Sequence, residues 1–330
     1  MPCIPRQRAS TPEARPAATI IAVEYWSILM GILALVTDAV SLPIDYDMPP
    51  LLEACETVGL DVEVCSWEDP TVDWSRFQAV VFRSPWTWAE RLPEFLAACE
   101  RIAAVTRLVT PMPLVRWALD KRYLADLAAA GVPVIPTTIV EPGADPLAAV
   151  RSFLEEHPQA AAFVVKPTDG CYSKNVRRYA RPVADEAPAH VARLLAGGSH
   201  VILQPYVESV DRHGETDLTF FDGEYSHAIH KGAMLMPDGT VHVPTLDFRT
   251  ARVADQDERA VASAALAAAQ ASLGLEQPLV CGRVDLVRGA DGTPMVLEME
   301  LCEPSLNLPF GEDSALRFAQ ALAERLKSCP

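Results

Sequence analysis

Residues 283–309 read RVDLVRGADGTPMVLEMELCEPSLNLP, and the segments on either side of the central turn alternate with the two-residue period of a β-strand. RVDLV and MVLEMEL flank Gly289–Pro294, GADGTP, which is dense in turn formers, so the stretch reads as a hairpin. Closing the register symmetrically about that turn sets Asp285 opposite Glu298 and Arg283 opposite Glu300, with all four on one face. Like charges facing each other oppose folding unless a cation lies between them, and hard divalent ions such as magnesium take oxygen ligands of this kind. The alternative is a solvated strand face with scattered charges, and the apolar residues that flank the acids argue against it.

The 330 residues are half apolar, enough for two or three packed units. With 28 basic and 44 acidic side chains the net charge is −16, which disfavours nucleic acid and anionic membranes as partners and requires a local basic pocket for any anionic ligand. Eight cysteines show no CxxC spacing. Most sit among apolar residues, which predicts buried free thiols of a cytoplasmic protein rather than a disulfide frame or a zinc site. Cys171 and Cys302 are the two that fall near candidate site residues. Residues 1–30 differ from the rest. Positions 2–18 are rich in Pro, Ala and Arg, and Glu24 interrupts the apolar run Thr19–Val36. This predicts a disordered extension without function, with Met30 as an alternative start, rather than a membrane span.

From Ile32 the pattern is α/β. Strands are expected at 32–38, 62–67, 79–85 and 107–111, with helices around 50–58 and 90–104. Strands alternating with single helices predict a parallel sheet, which gathers ligands at the carboxyl ends of its strands, where Asp38, Arg83 and Trp86 fall. A second unit (114–205) is expected to hold a helix through Leu127, strand 134–140, helix 146–155, and strands AFVVKP (162–167) and VILQPYV (201–207). The third (206–330) opens with the probable hairpin DLTFFDG/EYSHAIHKG. It continues through an Ala-rich helix 255–273, the acidic hairpin and a terminal helix 314–327. The fold class is therefore α/β with α+β parts, an N-terminal parallel-sheet domain (31–113) followed by two α+β subdomains.

Three lysines stand where this layout can bring them together: Lys121 on a helix, and Lys166 and Lys231 at strand ends. After Lys166 comes TDGCYSKNVRR, whose Gly170, Ser173 and Asn175 suit a loop that folds over phosphates with its backbone N–H groups. Each lysine alone reads as solvated surface; the order is what carries information. Lysine helix, strand VKP, loop, QPYVE, strand lysine and acidic hairpin together resemble the ATP-grasp superfamily of carboxylate–amine ligases, over residues 31–328.

The resemblance implies two subdomains gripping ATP. It makes Lys121 and Lys166 phosphate contacts, and Lys231 a third with a catalytic role. The backbone around Gln204, Tyr206 and Val207 would meet adenine, Glu208 would accept from the ribose, and Ser173 belongs to the phosphate loop. Asp285, Glu298 and Glu300 would hold two Mg2+ ions, and Arg283 would stabilise the transferring phosphoryl group. Many members of the superfamily carry Asn where this chain has Glu300; Asn307 is the neutral oxygen that would make up the difference.

A closer resemblance rests on LVTDAVSLPIDYDMPPLLEAC, VVFRSPWTW, QPYVESVDRHGETDLTFFDG and LEMELCEPSLNLPF. These are similar to the O-ureido-serine cyclo-ligases that close the D-cycloserine ring in antibiotic-producing actinobacteria. The implied reaction activates a carboxylate as an acyl phosphate and cyclises O-ureido-D-serine, with release of ADP, phosphate, carbon dioxide and ammonia. Its substrate contacts are expected among Asp38, Arg83, Trp86, Arg249 and Asn307. The alternatives are an intermolecular amino-acid or dipeptide ligase and an ATP-binding regulatory protein without turnover. The expected partner is a small amino-acid substrate, and the expected assembly a homodimer. His227, His230 and His242 are available for proton transfer but read equally as packing or surface residues.

Overall fold

The computed structural model describes residues 31–242, 246 and 249–327; the expectations for residues 1–30 and for Cys3 and Cys329 lie outside them. Three sheets carry the architecture. The first is parallel, in the order β2 (Val62–Ser66), β1 (Leu33–Thr37), β3 (Ala79–Ser84), β4 (Arg107–Leu108). Alternation gives it two apolar faces. Leu33, Leu35, Ala79 and Val81 pack toward the helices Met48–Thr57 and Ser314–Lys327, while Ala34, Val36, Val80 and Phe82 pack toward Leu92–Ala103. The terminal helix, which follows the acidic hairpin in sequence, thus lies on the N-terminal sheet, and its Phe318 stacks on Phe221 at 5.0 Å.

The second sheet runs β5 (Thr138–Val140), β8 (Val201–Pro205), β6 (Ala162–Pro167), β7 (Arg177–Ala180), all antiparallel. Strand 134–140 is shorter than its apolar run suggests, because Pro136 has no N–H to continue a ladder. Val134 instead makes an isolated bridge to Val296, binding this unit to the next. Along β6, Phe163 and Val165 pack under the helices Pro146–Glu156 and Ala187–Ala196, while Val164 and Lys166 face the opposite way into a cleft.

The third sheet is antiparallel, in the order β11 (Arg249–Arg252), β10 (Glu224–Lys231), β9 (Glu215–Phe221), β12 (Cys281–Arg288), β13 (Pro294–Glu300). Val284, Leu286, Val296 and Met299 pack on the helix Gln256–Leu273, which starts at an Asp255/Glu258 capping box and ends at the left-handed Gly274. At Gly282 a Cβ would come within 2.8 Å of Leu301 Cδ2 and 3.3 Å of Leu266 Cδ2 on that helix, so a larger residue would displace both side chains. Strands β7 and β11 and the helix Ala187–Ala196 were not expected from the sequence.

One side chain clamps β13 from outside the sheet. The buried Tyr123 hydroxyl donates to the Met299 carbonyl at 3.0 Å and accepts from the Met299 N–H at 2.8 Å. Tyr123→Phe leaves both buried backbone groups without a partner, so a loss of about 2–4 kcal/mol is expected in urea denaturation, with an unchanged m-value.

Candidate active site

The acidic hairpin forms with the expected pairs, Asp285 opposite Glu298 and Arg283 opposite Glu300. The closure is not symmetric. Leu286 pairs with Val296, which leaves Leu297 as the extra residue of a bulge that shifts the register by one before the acids meet. The neighbouring strand extends the row, since Asp217 of β9 lies opposite Asp285 on its other side. Glu215, Asp217 and Asp285 are all buried, with carboxylate oxygens within 4.8 Å of one another. Sequence reading missed Glu215 and Asp217 because the β9–β12 pairing joins residues about seventy positions apart; the alternating ETD of β9 was the available signal.

The cations that relieve this repulsion belong to the protein. Arg283 holds Asp285 with Nε at 2.7 Å and Nη2 at 2.9 Å, and reaches Glu300 with Nη2 at 2.6 Å. Lys231 sits 2.8 Å from Glu215, 3.2 Å from Asp217 and 3.6 Å from Asp285. Lys121 pairs with Glu298 at 3.2 Å and donates to the Gly170 carbonyl at 2.7 Å. The opposed acids are therefore not by themselves a demand for a metal. Despite burial, Arg283 and Lys231 hold Asp285 below the usual carboxylate range, whereas burial and the facing Asp285 push Asp217 up.

Lys166 stands apart. It is buried, and among the described residues its ammonium has neither a hydrogen bond nor an ion pair. Lys121 is also buried, but Glu298 more than offsets the desolvation and lifts its pKa; in Lys166 burial wins and lowers the value to about 8. Phosphate oxygens are the ligand chemistry that supplies what Lys166 lacks. Asp217 has a buried Oδ1 without a hydrogen-bond partner. With Asp285, Glu298 and Glu300 beside it, the donor set is all oxygen, which fits magnesium. Both observations make the cleft compatible with a magnesium nucleotide.

The cleft lies between the second and third sheets. Of the sequence-derived residues, Trp86, Lys121, Lys166, Ser173, Gln204, Tyr206, Val207, Lys231, Arg249, Arg283, Asp285, Glu298 and Glu300 line it. Segment 168–176 crosses toward the N-terminal unit, where Tyr172 packs edge-on against Trp86 at 5.4 Å and Lys174 pairs with Glu90. Tyr172, Ser173 and Asn175 all have positive φ, a conformation that non-glycine residues hold only where surrounding contacts impose it.

Four expected residues do not line the cleft. The Asp38 carboxylate accepts from the N–H groups of Val40, Ser41 and Thr87 and from the hydroxyls of Ser41 and Thr87, so it ties two loops together. Arg83 is fully buried, donating to the Pro304 carbonyl at 2.9 Å and lying 3.7 Å from Asp45 and Asp47. Asn307 is buried and its Oδ1 accepts from the Tyr46 hydroxyl at 2.8 Å, so that oxygen is already engaged. Glu208 is exposed outside the wall. Arg249 reaches the cleft and also binds the Tyr46 hydroxyl.

Two of the three candidate histidines bond to backbone carbonyls. His227 is buried against the Leu306 and Asn307 carbonyls at 3.0 Å, and burial lowers its pKa to about 4. His230 meets the His213 carbonyl at 3.0 Å. The described cysteines are free thiols, and burial raises those of Cys171 and Cys302, which leaves neither activated as a nucleophile.

The chain as a whole is similar to known proteins. The cycloserine biosynthesis protein DcsG of Streptomyces lavendulae is 83% identical over 298 residues, covering 90% of this chain and all of the relative. This chain belongs to the DcsG family of D-cycloserine synthetases. Residues 33–110 match the family described as D-cycloserine synthetase DcsG, N-terminal domain. The crystal structure of D-cycloserine synthetase DcsG superposes with a TM-score of 0.89 at 83% identity, over 90% of this chain and 100% of that one. The ATP-grasp ligase PsnB, complexed with minimal precursor, Mg and ADP, is 17% identical with a TM-score of 0.58, over 89% of this chain and 98% of that one. The fold of this DcsG-family member is thus the ATP-grasp fold. No helix among its described residues is long and apolar enough to cross a membrane.

Proposed function

We propose that this chain is an ATP-dependent ligase that closes a ring within one molecule, converting O-ureido-D-serine to D-cycloserine. The carboxylate is activated by the γ-phosphoryl group of ATP, and the tethered nitrogen displaces phosphate to form the C–N bond. Removal of the carbamoyl group consumes one water and releases carbon dioxide and ammonia, beside ADP and phosphate. The observation that carries the phosphoryl chemistry is the ammonium of the buried Lys166, which among the described residues has no hydrogen bond or ion pair, in a cleft also lined by carboxylates.

In this reading Lys121 and Lys166 bind phosphate oxygens, and the backbone at Gln204–Val207 receives the adenine. Asp285, Glu298 and Glu300 hold magnesium, which when bound neutralises phosphate charge. Arg283 orients the transferring group from a position fixed by Asp285, Glu300 and its 2.8 Å bond to the Ser305 carbonyl. Lys231, engaged by three carboxylates, sets the charge and position of that wall. Segment 168–176 keeps water from the activated carboxylate. No protein nucleophile is required, in keeping with the raised thiols of Cys171 and Cys302. Two magnesium ions, a homodimeric assembly and a cytoplasmic setting belong to the same proposal.

Tethering favours cyclisation over attack by a free amine, by up to roughly 7–11 kcal/mol in well-oriented systems. Incubation with ATP, magnesium and O-ureido-D-serine, followed by mass spectrometry, is expected to give the cyclic product with one ADP per ring and no need for a second amine. ADP formation only on addition of a separate amine, with a linear amide as product, assigns intermolecular ligation instead; nucleotide binding without turnover assigns a regulatory role.

A further inference from the structure

Glu303 follows β13 and lines both the main cleft and a side chamber of about 20 Å3 behind Lys121, room for one small group such as an ammonium or a water. It is 8% exposed. Two indoles fix it: Trp88 Nε1 donates to Oε1 at 2.5 Å, and Trp86 Nε1 donates to its backbone carbonyl at 3.0 Å. What distinguishes it is the missing counter-charge. Each of the other acids lining the cleft has a cationic nitrogen within 4 Å: Glu215 on Lys231, Asp285 and Glu300 on Arg283, Glu298 on Lys121. Among the described residues Glu303 has none, and Lys121, which lines the same chamber, is already engaged by Glu298 and the Gly170 carbonyl. A buried carboxylate without compensation is costly, and a cationic ligand group removes that cost.

The cleft is also polar in direction. Arg283 and Arg249 line it as well, and Arg249 has a buried Nε without a hydrogen-bond partner. A ligand with a carboxylate and an ammonium matches this pattern, the carboxylate on the arginines and the ammonium on Glu303. Glu298 and Glu300 line the same chamber but are paired with Lys121 and Arg283, which leaves Glu303 as the carboxylate there without a cation within 4 Å among the described residues.

We propose that Glu303 is a specificity-determining residue that receives the α-ammonium of the amino-acid substrate, held in place by Trp88. This rests on the amino-acid ligase reading above. Burial raises the Glu303 carboxyl above its ordinary value, and an ammonium beside it opposes that shift. Trp88 is a positioning residue, acting only through Glu303.

The test compares O-ureido-D-serine with the same molecule lacking its amino group. Wild-type enzyme is expected to favour the amino compound by about 100-fold in kcat/KM, the worth of a buried hydrogen bond to a charged group. Glu303→Gln is expected to lose most of that preference through a higher KM for the amino compound, with ATP affinity by calorimetry unchanged, which also reports folding. Trp88→Phe is expected to lose a smaller part, with the same split. Equal preference in wild type and Glu303→Gln overturns the assignment, as does a wild type indifferent to the amino group, a result that needs no variant to fold. Absence of cyclic product from O-ureido-D-serine in wild type overturns the parent reading instead.

Discussion

Lys166→Met is expected to lower kcat by about 10²–10³-fold while making the nucleotide-free protein more stable, a combination that separates a binding cation from a structural one. The loss follows from removing a charged donor aimed at the transferring phosphate in a dry site. The stabilisation follows from the fall of the Lys166 pKa from 10.5 to about 8, a cost to the folded state on the order of 3 kcal/mol in the charged form. The sign is opposite to that of a salt-bridged lysine. Because the folded value is depressed, the penalty is complete below about pH 8 and is relieved as pH rises toward the ordinary lysine value of 10.5. Methionine keeps the apolar stem and removes the penalty at every pH. Thermal unfolding without nucleotide is therefore expected to give a higher midpoint for the variant at pH 7, with the gap to wild type closing by pH 10–11. A variant less stable than wild type at pH 7 removes the basis for assigning Lys166 to an absent anion.

The contrast between Lys166 and its neighbours also shows where sequence reading stops. Period two was enough to set Asp285 across from Glu298, whereas for Lys166 it gave only a place at a strand end. It found both members of the hairpin because that pairing is local. Contacts between units have no such short-range signature. Glu215 and Asp217 enter the wall through β9–β12, and Glu303 is oriented by Trp86 and Trp88 from the N-terminal unit more than two hundred positions away. Asp38, Arg83 and Asn307 illustrate the converse. Polar residues at strand ends and turns look like ligand contacts in sequence, yet these three are buried outside the cleft and bond to loops of the protein itself, with Arg83 Nε and Nη2 and Asn307 Nδ2 left without a hydrogen-bond partner among the described residues.

Asp285→Asn follows from the same wall and departs from what the bare hairpin suggests. If the facing carboxylates met without compensation, removing one charge would relieve repulsion and stabilise the protein. In the folded chain Asp285 instead accepts two bonds from Arg283 and lies 3.6 Å from Lys231, so its removal leaves two buried cations under-compensated. The expected loss in stability is about 3 kcal/mol, the usual cost of breaking a buried ion pair from one side. Its pH dependence is set by the depressed folded pKa of Asp285. The stabilisation is present above the ordinary carboxylate range and disappears as pH falls through the folded value, so wild type and variant converge in acid. Turnover is expected to drop by about a thousandfold, as for loss of a group that holds charge at the transferring phosphate. Raising magnesium is expected to recover part of the activity, whereas raising amino-acid substrate is not. Kinetics at graded magnesium, paired with urea unfolding at pH 7 and pH 3, check both halves. A variant of wild-type stability with lost magnesium dependence leaves Asp285 a ligand but not a strut; lost stability with unchanged turnover makes it a strut alone and moves the metal to Glu298 and Glu300.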